Sequence, residues 1–313
     1  MDITLHVGAH RTGTTTFQKY MRTNQGWLAQ QGIGYWGPQR VRTSVLPGVF
    51  PGPLALPGRD CQRRARGRIA LQLKRAEKMG LQRLIVSDPN LLGSMAQCMR
   101  ARALYPATGE RLARISDSFG QRIGRVVLTV RSQDLWWASV AAHLTGRGHA
   151  LPSRATCAAM ATSPRTWRDV VTDLACAMPE AEIIVLPFER CSDRPEAMLE
   201  TCGVLNAPRC DSADLLNRAP GIQRLRSILR ERGDCPLRLG EGEGRWQPLN
   251  PAQTAALRET YADDLHWLAA GADGLATLAE IPLRPATHIP APARGPEKGH
   301  EHDFRQRHLA QSG

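Results

Sequence analysis

No run in this 313-residue chain is apolar for long enough to cross a bilayer, which excludes a membrane-spanning helix. Met1-Asp2 leads straight into a strand-like segment, without the basic and apolar regions of a secretory signal. The eight cysteines contain no C-x-x-C pair, so a zinc site is not expected. With no mark of export, the expectation is reduced thiols in a cytoplasm. There is no internal repeat and no helix-turn-helix, zinc-finger or RNA-recognition signature, so nucleic acid is not an expected partner. Acidic side chains are scarce: 29 Asp and Glu face 41 Lys and Arg, leaving a net charge of +12. Arginine supplies most of that excess, and its planar fork suits phosphate and sulfate oxygens. The balance favours an anionic ligand or an acidic polymer without deciding between them.

What is present is organised around the start of the chain, His6-Val7-Gly8-Ala9-His10-Arg11-Thr12-Gly13-Thr14-Thr15-Thr16-Phe17. Ile3 to Val7 is β-rich and bounded by Gly8, which predicts a short buried strand. Phe17, Tyr20, Met21 and Leu28 recur at roughly helical spacing, predicting a helix from about Thr14. A strand, a glycine-bounded loop and a helix N-terminus hold anions with backbone N–H groups and the helix dipole. Gly8, Gly13 and Thr15 fit the nucleotide P-loop G-x-x-x-x-G-K-[ST], but Thr14 stands where its lysine belongs. The available cation is Arg11, ahead of the second glycine.

Further strands are predicted at 32–36, 84–86, 125–130 and 182–186, with helices at 61–79, 133–144, from 195, and at 251–267. That alternation predicts an α/β protein: a central parallel sheet of about five strands, helices on both faces, and a helical C-terminal portion. Residues 37–60, rich in Pro, Gly and Arg, read as one long loop. Residues 1–284 read as one domain and 285–313 as a poorly ordered basic tail. The basic face at 61–79 reads as solvated surface.

A second motif is Val130-Arg131-Ser132-Gln133-Asp134-Leu135-Trp136-Trp137-Ala138-Ser139. Arg131 ends a buried strand and Ser139 lies about two turns into the next helix. An arginine so placed can grip a phosphate bidentately while the hydroxyl meets another oxygen.

Arg11-Thr12-Gly13-Thr14-Thr15 after a first strand resembles the 5′-phosphosulfate loop of sulfotransferases that use 3′-phosphoadenosine 5′-phosphosulfate. The Arg131/Ser139 unit, following in order, resembles the 3′-phosphate site of the same family. The likeness extends over roughly residues 1–270 and lies closer to the heparan, carbohydrate-type branch than to the cytosolic phenol-type branch. The latter has a tryptophan after Gly-Thr-Thr, where Thr16 stands here. The resemblance implies a P-loop-like sulfotransferase fold with the donor held by Arg11, Thr12, Gly13, Thr14, Thr15, Thr16, Arg131 and Ser139. It also implies adenosine 3′,5′-bisphosphate as product and, with Arg11 and backbone amides stabilising charge, no metal. The implied acceptor is a hydroxyl, on a carbohydrate or glycoconjugate.

For the base, Asp88 lies at the end of the third strand, where heparan-type relatives place a glutamate, and Pro89 biases it to an extended backbone. His10, in the loop beside the transferring group, is the rival. His143 is one turn beyond Ser139 on the same face, and His6 reads as structural. Two other functions stay open at this point: a P-loop kinase or nucleotide hydrolase, and a non-catalytic binder of acidic glycan or nucleic acid. No residue pattern bears on the oligomeric state.

Overall fold

A computed structural model describes residues 1–50, 60–210 and 215–281. The residues from Met1 to Ile281 form one compact unit. The tail expected at 285–313 and the segment 51–59 lie outside the described residues.

Six strands make one all-parallel sheet: β1 Asp2–Gly8, β2 Ile33–Trp36, β3 Arg83–Ser87, β4 Ile123–Val130, β5 Glu182–Pro187 and β6 Thr277–Leu278. Their order is β2-β3-β1-β4-β5-β6. Alternating side chains divide the strands between two cores, as the period-two geometry requires. Ile3, Leu5, Val7, Leu84, Val86, Val126 and Leu128 face one core. Ile85, Val127 and Leu186 face the other, with Phe17, Tyr20 and Met21. The expected α/β class, with helices covering both faces, is what forms.

Helices of ten residues or more among the described residues are α1 Thr14–Thr23, α2 Cys61–Lys78, α3 Thr108–Ser118, α4 Gln133–Gly146, α5 Trp167–Ala177, α6 Ile222–Glu231 and α7 Pro251–Ala269. On α2, Ala65, Ile69, Leu73 and Ala76 recur at 3.6-residue spacing and are buried, while Arg63, Arg64, Lys74 and Arg75 stand in solvent. Asn250 and Gln253 form a reciprocal capping box at the start of α7, with Pro251 in the first turn, where its missing N–H costs nothing. Among the described residues, no helix is long and apolar enough to cross a membrane.

The expected sheet of about five strands forms with six, the two residues of β6 pairing with Ile184 and Val185 of β5. One expectation is corrected. Residues 37–50 are ordered backbone, not an open loop: Pro38–Arg40 is a helical turn and Val41–Val45 a π-type turn. Val41, Val45 and Val49 are buried, and Arg68 and Gln72 of α2 donate to the carbonyls of Ser44, Val45 and Pro47.

The topology fixes where a ligand would sit. From β1 the chain crosses to β2 and β3 on one side, then returns to β4 on the other. That reversal opens a crevice at the carboxyl ends of the strands beside β1. Both sequence motifs lead out of strands at that crevice.

Candidate anion site

The loop after β1 is built from left-handed backbone. Gly8 has φ +80°, Arg11 φ 64° and Gly13 φ 74°. A Cβ at Gly8 would sit 3.0 Å from Pro89 Cβ, so the strand can pass beneath Pro89 with no side chain there. Arg11 adopts this conformation at a cost that only a well-determined surrounding sustains. Thr12, fully buried, donates its hydroxyl to the Ala9 carbonyl at 2.7 Å and closes the loop from within. No side chain caps α1, so the amides of its first turn face the crevice without a protein acceptor at the cap position. The Thr16 hydroxyl accepts the Leu216 N–H at 2.9 Å, tying α1 to the segment that borders the crevice.

A layer of buried rings underlies the loop. Trp136 donates its indole N–H to the His10 carbonyl at 2.8 Å, and Trp167 donates to the Arg131 carbonyl at 2.8 Å. Tyr105 packs against both, 5.6 Å and 6.2 Å between ring centres. Trp137 is equally buried, so both tryptophans of the second motif are core residues.

The two motifs meet. Arg131 Nη1 donates to the Arg11 carbonyl at 2.9 Å, and Arg11 Nε donates to Ser139 Oγ at 3.0 Å. Arg11 Nη1 also approaches His143 Nδ1 at 3.5 Å. Arg131, 7 % exposed, lies over the Phe188 ring, and its Nε has no hydrogen-bond partner among the described residues. Burial lowers both guanidinium groups to about 10, so each remains charged at neutral pH.

These groups line a cleft of about 780 Å³, within the ~300–1,000 Å³ of sites for small molecules and cofactors. Among the described residues of its wall are six arginines, 11, 42, 131, 147, 218 and 245, and no carboxylate. Gly13, Thr14 and Thr15 line it too. The expected donor-holding residues therefore converge, with Thr12 turned inward as a brace and Thr16 engaged with Leu216.

The base candidates are placed as follows. Asp88 is fully buried and does not line the cleft. Its two oxygens accept from Arg42 Nη2 at 2.6 Å and Arg42 Nε at 2.7 Å, and one also accepts the Asn90 N–H at 3.0 Å. His10 lines the cleft but is itself buried, with Nδ1 2.9 Å from the Tyr105 hydroxyl and Nε2 2.9 Å from Asn90 Oδ1. Tyr105 already accepts the His10 N–H at 2.8 Å. Asn90 Oδ1 can only accept, so Nε2 carries the ring proton and Nδ1, left with its lone pair, accepts from the Tyr105 hydroxyl. Burial lowers His10 to about 4, so the ring is neutral. His6 is fully buried against Ser87 at 2.8 Å, as expected of a structural histidine.

Several wall residues escape the sequence reading. Arg42 lies inside the segment read as loop. Arg245 follows the alternating glycines 240, 242 and 244, and the Gly244 carbonyl accepts the Ile222 N–H at 2.8 Å. That glycine pattern was the available signal for a close backbone approach. Arg147 and Arg218 carried none. No family model, curated protein or solved structure matches this chain.

Proposed function

We propose that this protein is a cytoplasmic sulfotransferase that moves a sulfuryl group from 3′-phosphoadenosine 5′-phosphosulfate to an acceptor hydroxyl, on a carbohydrate or glycoconjugate. The observation that carries the reading is the junction of Arg11 and Arg131 at one cleft whose described wall bears six arginines and no carboxylate. The proposed donor is anionic at both ends, and the site offers a cation for each. Arg11 and the first-turn amides of α1 would meet the 5′ phosphosulfate. Arg131, whose Nε has no partner among the described residues, and Ser139 would meet the 3′ phosphate. Positioning and electrostatics supply most of the rate in the related phosphoryl transfers, and cations with aligned amides are the groups such transfer needs. The acceptor class rests on the resemblance to the carbohydrate-type branch.

Calorimetry with adenosine 3′,5′-bisphosphate tests the reading. Charge-assisted hydrogen bonds contribute about 1.5–3 kcal/mol each, so Arg11→Ala and Arg131→Ala should each weaken binding by about 10- to 150-fold. Wild-type protein that ignores this ligand at millimolar concentration, or binds ATP with magnesium in preference, refutes it. Labelled sulfate transfer into a panel of glycans, lipids and alcohols then identifies the acceptor.

A further inference from the structure

The cleft has charge to hold an anion, but a transfer to a hydroxyl also needs somewhere for the hydroxyl proton to go. Among the described residues of its wall, the groups able to accept a proton at neutral pH are His10 and His143. His10 has both ring nitrogens committed, to Tyr105 and Asn90, and is held beneath the loop. Asp88 lies behind the wall with its oxygens filled by Arg42 and the Asn90 N–H. His143 differs from both. It is partly exposed on the cleft side of α4, one turn beyond Ser139, and among the described residues the hydrogen-bond contact of its ring is the Arg11 guanidinium at 3.5 Å.

That contact fixes its tautomer. A guanidinium only donates, so the nitrogen facing it, Nδ1, holds a lone pair and the proton resides on Nε2. The charged groups facing the ring are Arg11 from the loop and Arg147 from its own helix, with neutral His10 behind. Burial, followed by these two cations, lowers His143 to about 4, so its lone pair is available throughout the neutral range. The lone pair therefore points at the very cation assigned to the transferring end of the donor.

We propose that His143 is the catalytic base, its Nδ1 covered by Arg11 until an anionic donor draws that guanidinium away. This rests on the sulfotransferase reading. In the step, the acceptor oxygen forms a bond to sulfur as its proton passes to Nδ1. The bond from sulfur to the bridging phosphate oxygen breaks, and its electron pair leaves on adenosine 3′,5′-bisphosphate. Arg11, turned toward that oxygen, balances the charge. The negative charge of the donor offsets Arg11 and Arg147 and raises the imidazole toward its ordinary range, where a general base is effective at neutral pH.

The test uses the full-length chain with labelled histidine, following imidazole titrations by NMR with and without adenosine 3′,5′-bisphosphate. His143→Gln assigns the signal. The proposal expects the variant to bind the bisphosphate within threefold of wild type, and expects the wild-type His143 titration to rise by more than one pH unit on binding. Turnover of 3′-phosphoadenosine 5′-phosphosulfate, with a panel of sugars and phenols as acceptors, should fall about 100-fold or more in His143→Gln. Added imidazole should restore part of it in His143→Ala. Unchanged turnover in His143→Gln, or a His143 titration that bound bisphosphate leaves in place, overturns the assignment while the donor reading stands. Wild type that does not bind the bisphosphate overturns both.

Discussion

Removing either half of the Arg42–Asp88 pair should cost very different amounts. Asp88 is fully buried, whereas the Arg42 side chain is 49 % exposed. In Arg42→Met the carboxylate loses its two shortest bonds, at 2.6 and 2.7 Å, and keeps the Asn90 N–H at 3.0 Å. An uncompensated buried charge costs about 3–5 kcal/mol. In Asp88→Asn the orphaned guanidinium can turn to water, and the new amide oxygen can still accept from Asn90. The loss is then about 1–3 kcal/mol, that of charge-assisted hydrogen bonds. In the double variant the two losses should fall short of their sum by about 1–3 kcal/mol, because both report one contact. Urea titration at pH 7 reads all three, as midpoint shifts at constant slope. Arg42→Met within 1 kcal/mol of wild type, or Asp88→Asn costing more than Arg42→Met, refutes the placement of the charge.

Stability should also rise with pH between about 4 and 6.5. His6 and His10 are buried neutral, lowered to about 3 and about 4, while the unfolded chain protonates both near 6.5. The unfolded state therefore binds more protons in that window, and each imidazole contributes a slope of about 1.4 kcal/mol per pH unit. A urea midpoint that is flat from pH 4.5 to 6.5 contradicts their burial. Gly13→Ala should destabilise the fold by about 1–3 kcal/mol and impair the anion site. Its φ of 74° is left-handed, and a Cβ would stand 3.3 Å from the Phe188 ring. A variant as stable as wild type that binds adenosine 3′,5′-bisphosphate unchanged would show that the loop does not need this turn.

The strands most legible in the sequence were those buried on both faces. β4 was legible through its stretch from Val126 to Val130, which is buried on both faces of the sheet. β6, at two residues, is too short for any period and exists through its pairing with β5. The loop after β1 was legible because its chemistry is local: two glycines, four threonines and one arginine within the nine residues 8–16. Arg42 was not. Its partner Asp88 is 46 residues away, and Pro and Gly around it outweigh the three buried valines that order the segment. Tyr105 is likewise invisible until the fold brings its hydroxyl to His10, 95 residues distant. The commitment of Asp88 and His10 to internal partners follows from those long-range contacts, so residue type and position alone put Asp88 first with His10 as its rival.

The rings beneath the site have one further consequence. Trp136 and Trp167 each hold a carbonyl beside one of the two arginines and pack edge to face on each other, and Tyr105 packs against both. The span between the backbones of residues 11 and 131 is thus set by packed aromatic solid and not by the give of two loops. On the proposed reading such a floor would work as a gauge, favouring molecules whose two negative ends are one fixed distance apart over those a bond shorter or longer.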